Sequence, residues 1–128
     1  MALSGSFYNY PVKSFGLYCE WSASQSVTGN YSNVTLKVYL SYWDLYVGAR
    51  DDGVINIAGN SSNFSTAAIS ESSSGWKKKL IAQKTVTVYH DGNGNANCYL
   101  GASWRFSGTY SGTSIGTITA EQTVSLDK

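Results

Sequence analysis

Side chains able to do covalent chemistry are sparse in this chain, and side chains able to stack are dense. One His stands against ten Tyr and four Trp. That histidine, His90, sits beside Asp91 at a turn, where a lone imidazole is most simply a solvated strand-end residue. Glycoside hydrolysis needs two carboxylates roughly 5 to 9 Å apart, and the spacing of Glu20, Asp51, Asp52, Glu71 and Glu121 marks no such pair. Serine is abundant, yet no nucleophile elbow appears. Asp91-Gly92-Asn93-Gly94-Asn95 resembles the start of a calcium loop, but Ala96 and Ala102 occupy the positions that need Gly and Glu. The same five residues match a turn that tolerates positive φ, and the turn is the stronger reading. Cys19 and Cys98, the only cysteines, are too few for a zinc site. Two buried thiols are the simpler reading and a disulfide between two sheets the other. No catalytic residue, metal or cofactor is assigned, and the chain reads as a non-enzymatic module.

What remains is recognition by flat rings, and the alternation of the strands says which rings are available. Val34 to Trp43 alternates without a break. Val34, Leu36, Val38, Leu40 and Tyr42 fall on one side, and Thr35, Lys37, Tyr39, Ser41 and Trp43 on the other. The first set is a core face, and the second is a solvated face that carries two aromatics. Trp21 and Trp104 take inward parity and read as core, whereas Tyr39, Trp43 and Tyr99 take outward parity. In an immunoglobulin-type sandwich the third and sixth strands are neighbours. If that topology holds, Tyr39, Trp43, Tyr99, Lys37 and Arg105 share one exposed face, with Lys37 peripheral and Trp76 reaching it from a loop. Rings flanked by planar hydrogen-bonding groups suit a sugar, whose apolar C–H face stacks while its hydroxyls find donors and acceptors. Cross-strand aromatic pairing that only stabilises the sheet is the alternative.

The elements that must carry these residues are all strands. Ser4 to Tyr10 reads as an edge strand ended by Pro11, and Ser14 to Ser26 as the second strand. Tyr31 to Trp43 is the central strand, with a bend near Trp43-Asp44 after which Leu45 and Val47 turn inward. Gly53 to Ala58 and Phe64 to Ile69 are short strands joined through Gly59 to Asn63. Ser70 to Gly75 reads as a Ser-rich loop. Lys79 to His90 follows, with Leu80, Ala82, Val86 and Val88 inward and a break near Gln83-Lys84. The Asp91 to Asn95 turn predicts a hairpin into Ala96 to Phe106. Ser107 to Gly112 reads as a loop, and Ile115 to Leu126 closes the domain. No segment has a convincing 3.6-residue period. About eight strands at this spacing predict one antiparallel β-sandwich, immunoglobulin-like or jelly-roll-like, spanning residues 1–128.

Composition narrows the partners. The net charge is +1, and charged residues make up 13% of the chain, about half the usual share. The surface is therefore built from Ser, Thr, Asn, Gly and Tyr, as in many sugar-binding or particle-borne β proteins. No basic run beyond Lys77-Lys78-Lys79 suits nucleic acid, and no apolar run approaches the ~20 residues of a membrane span. The N-terminus lacks the basic start and apolar middle of a signal peptide.

Several stretches together resemble a known family. Trp21 to Ser26, Asn33 to Trp43, Val47 to Asp51, Ser74 to Lys78 and Ala102 to Gly112 are similar to minor structural proteins of tailed phages that infect Gram-positive bacteria. In that family the chain commonly runs on from a Thr-Val-Ser-Leu-like strand into further tail sequence, and Val124 to Lys128 stands at that junction here. The resemblance implies a domain excised from a longer tail protein. It implies a receptor-binding module recognising a cell-wall or surface saccharide of the host, with other tail domains as further partners. It also implies assembly in a bacterial cytoplasm, which favours reduced thiols, and a final place in the virion tail. A spacer or assembly domain that binds no ligand is the alternative, and a glycan hydrolase a third reading.

Overall fold

The computed structural model describes residues 4–13, 15–26, 28–71, 75–110 and 112–127. Ser14, residues 72–74 of the expected Ser-rich loop, Ser111 and Lys128 lie outside the described residues. Ten strands occur among those described, and no helix: β1 (Ser4–Val12), β2 (Phe15–Ser26), β3 (Tyr31–Tyr42), β4 (Leu45–Val47), β5 (Arg50–Ile57), β6 (Asn60–Thr66), β7 (Ile69–Glu71), β8 (Lys77–Tyr89), β9 (Asn95–Tyr110) and β10 (Thr113–Asp127).

Two four-stranded antiparallel sheets face each other. One has the order β1-β2-β3-β8 and the other β10-β9-β5-β6, while β4 and β7 pair separately. The expected sandwich is therefore present, and the alternation that predicted it is obeyed. Val34, Leu36, Val38 and Leu40 of β3 are fully buried, as are Leu17 and Cys19 of β2. From the other sheet, Ile57, Cys98, Leu100, Trp104 and Leu126 meet them in one core. Each such side chain removes apolar surface from water at roughly 25 cal/mol per Å². Because the side-chain period is 2, a one-residue slip in any strand would turn its core set outward. Trp104 is the largest fully buried side chain, and its Nε1 donates to Thr66 Oγ1 at 3.0 Å, so its one polar atom is satisfied.

Several boundaries differ from the sequence expectation for identifiable reasons. The link between β5 and β6 is a two-residue turn at Ala58 and Gly59, both with positive φ. The expected loop from Ser107 is instead a continuation of β9 to Tyr110, where Ser107 takes positive φ and the register with β10 shifts. In β8 the irregularity falls opposite Val38 and Tyr39, not at Gln83-Lys84. That bulge sets Leu80 opposite Tyr39, so Leu80 points outward and is exposed. Leu80 was expected to point inward.

The largest correction concerns topology. The turn at Asp91 to Asn95 forms as expected: Asp91 N donates to Asn95 O at 2.8 Å, and Gly94 N to Asp91 O at 3.0 Å. It does not make a hairpin, however, because β8 and β9 belong to different sheets. The neighbours of β3 are β2 and β8.

Candidate functional site

This topology divides the expected site. Lys37 and Tyr39 lie on the outer face of the β1-β2-β3-β8 sheet, and Trp43 and Trp76 lie at its end. Tyr99 and Arg105, on β9, face outward from the opposite sheet. Lys37, Tyr39, Trp43, Tyr99 and Arg105 therefore do not share one face. Tyr99 has a structural task where it stands: its hydroxyl donates to Glu121 Oε2 at 2.6 Å, and its ring lies on Gly101. The Glu121 carboxylate, followed by partial burial, holds the Tyr99 phenol above its ordinary pKa.

The aromatic residues gather on the first sheet. The register places Tyr42 opposite Lys77, so the residues just beyond, Trp43 and Trp76, meet at the end of the β3–β8 ladder. Their ring centroids are 6.2 Å apart and perpendicular. Trp76 packs edge-on against Tyr10 at 5.9 Å, Tyr10 against Tyr8 at 5.5 Å, and Tyr8 stacks parallel to Tyr18 at 6.3 Å. Across the strands, Tyr8 pairs with Tyr18, Tyr18 with Tyr39, and Tyr39 with Leu80. The result is a file of five rings beside a row that crosses all four strands. Trp76 is 52% exposed, Tyr8 64% and Trp43 39%. Face-to-edge and offset contacts of this kind are worth about 0.5–1.5 kcal/mol each beyond the area they bury.

Local features hold the file in place. Gly16 is buried although it points outward, because Tyr10 lies over it; a Cβ there would come within 2.7 Å of the Tyr10 ring. Its cross-strand partner Ser41 is outward and buried as well. At the Trp43 end, the Tyr42 hydroxyl donates to Glu71 on β7, and the Tyr110 hydroxyl donates to Asp44 O at 2.6 Å. Burial and then the Glu71 hydrogen bond push the Tyr42 phenol up to about 12, and the same bond lowers Glu71. The bend that presents Trp43 is thus fastened on both sides.

One cation sits among the rings. Lys78 Nζ lies 4.7 Å from the centroid of Tyr18 and 4.9 Å from that of Tyr39, and 3.6 Å from Glu20 Oε2. An ammonium over two ring faces gains about 0.5–1 kcal/mol per face at an exposed site. Desolvation, then hydrogen bonding to Glu20, raises the Tyr39 phenol. Beyond Tyr18 the rings give way to an open groove of about 390 Å³, lined by Ser4, Ser6, Glu20, Ser22, Thr35 and Lys37 among others. Rings, a cation, a carboxylate and hydroxyls therefore occur side by side, and such a surface can stack on a C–H face and hydrogen-bond its edges.

The other chemical candidates resolve into structure. The Asp91 carboxylate accepts the N–H groups of Asn93 and Asn95 at 2.9 and 3.0 Å, which closes the turn and lowers its pKa. His90 contacts Ser32 Oγ and Gly94 O, each at 2.7 Å. Cys19 and Cys98 are buried free thiols, and burial pushes Cys19 up to about 12. No group of three or more His, Cys, Asp or Glu among the described residues is placed to hold a metal ion.

Of the side chains on this surface, the sequence singles out Tyr39, Trp43, Trp76 and Lys37 and passes over Tyr8, Tyr10, Tyr18 and Lys78. The signal was present: Tyr8 and Tyr10 share one parity in β1, and Tyr18 holds the outward parity of β2. No family model, no curated protein and no solved structure matches this chain.

Proposed function

We propose that the chain is a non-enzymatic saccharide-binding module, acting as a receptor-binding domain of a phage tail protein on the surface of a Gram-positive host. The observation that supports this most is the file of exposed rings from Trp43 to Tyr18, with Lys78 and Glu20 set among them. Rings serve a sugar by stacking on its apolar face, while the lysine, carboxylate and neighbouring hydroxyls serve its edges. Each contact is worth about 1 kcal/mol, so a single module binds weakly, with Kd in the range of roughly 10 μM to 1 mM. Many copies on one particle raise the effective affinity by avidity, which suits reversible search followed by firm attachment. Residency in the virion and contact with further tail domains belong to the same reading.

The test is labelling of a panel of Gram-positive strains by the fluorescently tagged chain, with competition by glycan released from the labelled walls. Labelling that the released glycan abolishes supports the proposal. Absence of labelling across the panel favours a spacer or assembly domain, and release of reducing sugar from the walls favours a hydrolase.

A further inference from the structure

The outer face of the β1-β2-β3-β8 sheet carries a second aromatic pair, at the end of β3 remote from Trp43. Tyr31 and Tyr89 stand across from each other on the β3–β8 ladder, with ring centroids 6.0 Å apart and planes inclined at 62°. Tyr31, Asn33, Thr35, Lys37 and Tyr39 alternate with the buried Ser32, Val34, Leu36 and Val38, so all five point outward. Opposite the first four on β8 are Tyr89, Thr87, Thr85 and Gln83, all exposed. Tyr89 is 74% exposed. Tyr31 is seated as Tyr10 is, with its ring over a glycine: a Cβ on Gly29 would collide with it. Asn30, between Gly29 and Tyr31, takes positive φ, and its side-chain nitrogen donates to His90 O and Asp91 O at 3.2 and 2.9 Å. These bonds fasten the start of β3 to the end of β8, where the pair stands.

Between this pair and the ring file the outer face is short and polar. Tyr31 lies eight positions from Tyr39 on β3, about 26 Å at a strand rise of ~3.3 Å per residue. The groove of about 390 Å³ begins at Tyr18, the last ring of the file, and reaches Ser22 and Thr35, so it covers the nearer half of that distance. In the farther half, Thr35 Oγ1 and Thr85 Oγ1 share a hydrogen bond of 2.9 Å, and Thr87 Oγ1 donates to Asn33 Oδ1 at 2.8 Å. Both bonds lie on the exposed face, and they leave hydroxyl lone pairs and the Asn33 amide N–H groups to an outside partner. Tyrosine and tryptophan rings stand taller than threonine, so the strip is a trough with rings at both ends.

Resting on the saccharide reading above, we infer that Tyr31 and Tyr89 form a second stacking subsite, and that the ligand is a linear oligosaccharide laid along β3. One end of the chain stacks on the ring file. Its middle units cross the trough, where Glu20, Lys37, Thr35 and Asn33 meet their hydroxyls. Its far units stack on Tyr89, with Tyr31 as the fixed ring behind it. The ligand class is therefore a glycan chain of several units, because no mono- or disaccharide reaches from one set of rings to the other. All of these groups belong to one face of one sheet, so the path needs no turn around an edge and no passage into the core.

A titration of the isotope-labelled full chain, followed by NMR, tests this. The probe is a size-fractionated oligosaccharide pool released from the walls of a strain that the tagged chain labels. The indole N–H signals of Trp43 and Trp76 report the ring file, the ring signals of Tyr31 and Tyr89 report the second subsite, and the Trp104 indole, bonded to Thr66, is the still control. The inference expects the shortest fractions to shift Trp43 and Trp76 alone, and the longer fractions to shift Tyr31 and Tyr89 as well. It also expects Tyr89→Ala to weaken binding of the longer fractions about tenfold and to leave the short ones unchanged. Shifts of Trp43 and Trp76 with Tyr31 and Tyr89 unmoved at every length overturn this inference and leave the proposed function standing. So does a Tyr89→Ala variant that lowers Tm but binds every fraction as the wild type does, since the pair then serves only the sheet. Failure of all these signals to shift, or of the chain to label any strain, overturns both readings. The wild-type titration decides the matter even if Tyr89→Ala folds poorly.

Discussion

The two outer faces of the sandwich have the same architecture and opposite chemistry. Both sheets are four-stranded and antiparallel, and both bury one side in a common core. The free side of the β10-β9-β5-β6 sheet carries short hydroxyls and amides such as Asn97, Thr117, Thr119, Thr123 and Ser125, all exposed. Its one large aromatic, Tyr99, is tied down by Glu121. The free side of the β1-β2-β3-β8 sheet carries Tyr8, Tyr10, Tyr18 and Tyr39, with Trp43 and Trp76 at its end. Charge divides the same way. The strands of the aromatic sheet hold Lys37, Lys77, Lys78, Lys79 and Lys84 against Glu20 alone, while the other sheet's strands hold Arg50 and Arg105 against Asp51, Asp52, Glu121 and Asp127. Threonine suffices to solvate a pleated face and has good β propensity. The fold therefore does not require rings on either outer surface, and the proposed function rests on their collection on one of them.

The comparison can be broken most severely from underneath. Trp104→Ala removes a fully buried ring beneath both faces and takes away the N–H that Thr66 Oγ1 accepts. The expected cost is about 3–5 kcal/mol, a fall in Tm of more than about 10 °C, with any loss of binding following unfolding. Calorimetry checks this; a normal Tm would mean that the core is not organised around Trp104.

Sharpening the contrast needs single changes on each face. Trp76 contacts both Trp43 and Tyr10, so Trp76→Ala removes the second of the five rings and parts Trp43 from the rest. It should weaken glycan binding about tenfold or more, an effect of at least ~1.4 kcal/mol, with only a small change in Tm. Trp43→Ala should act in the same direction. Arg105→Ala on the other face should leave affinity unchanged. Equal losses from Trp76→Ala and Arg105→Ala would erase the distinction between the faces.

Acid should act on the scaffold and not on the rings. Glu71 and Asp91 have pKa values below their ordinary values, Glu71 chiefly through Tyr42 and Asp91 through the amides of Asn95 and Asn93. Carboxyls depressed in the folded state contribute stability that is fully present above their unfolded values, 4.5 and 3.8, and is lost as pH falls through the folded ones. Tm should therefore decline as pH falls below about 4.5, and Tyr42→Phe should flatten that decline by removing the Glu71 bond. A Tyr42→Phe variant with an unchanged acid profile would contradict this assignment. The smallest expected effect is that of Lys37→Gln, a loss of less than about threefold that shrinks as salt screens the charge, read by titration at two ionic strengths.

The strands and their inward faces were legible in the sequence because period-2 burial leaves a local mark. Val34 to Leu40 and Cys98 to Phe106 could be assigned without knowing what they pack against. Which strands stand side by side leaves no such mark. The Asp91 to Asn95 turn looks like a hairpin locally whether β8 and β9 pair or part into different sheets, and the chain does the latter. Joining Tyr99 and Arg105 to Tyr39 and Trp43 rests on an immunoglobulin-type pairing of the third and sixth strands, and here the strands that carry them belong to different sheets. Tyr10 could not be seen as part of a site because its role depends on lying over Gly16, which a single strand's pattern does not reveal. The bulge near Ile81, which turns Leu80 outward, likewise arises only from pairing with β3.

The central claim is that the aromatic face is the binding face, and paired surface exchange tests it most directly. One variant carries Tyr8→Thr, Trp43→Thr and Trp76→Thr, which gives the aromatic face the chemistry of its opposite. A second carries Tyr99→Thr and Arg105→Thr on the other sheet. Labelling of Gram-positive cells by each tagged variant, with folding verified by its Tm, is compared with the wild type. The account predicts that the first variant folds and loses labelling while the second retains it in full. Full labelling by the first variant, or its loss in the second, would contradict the account.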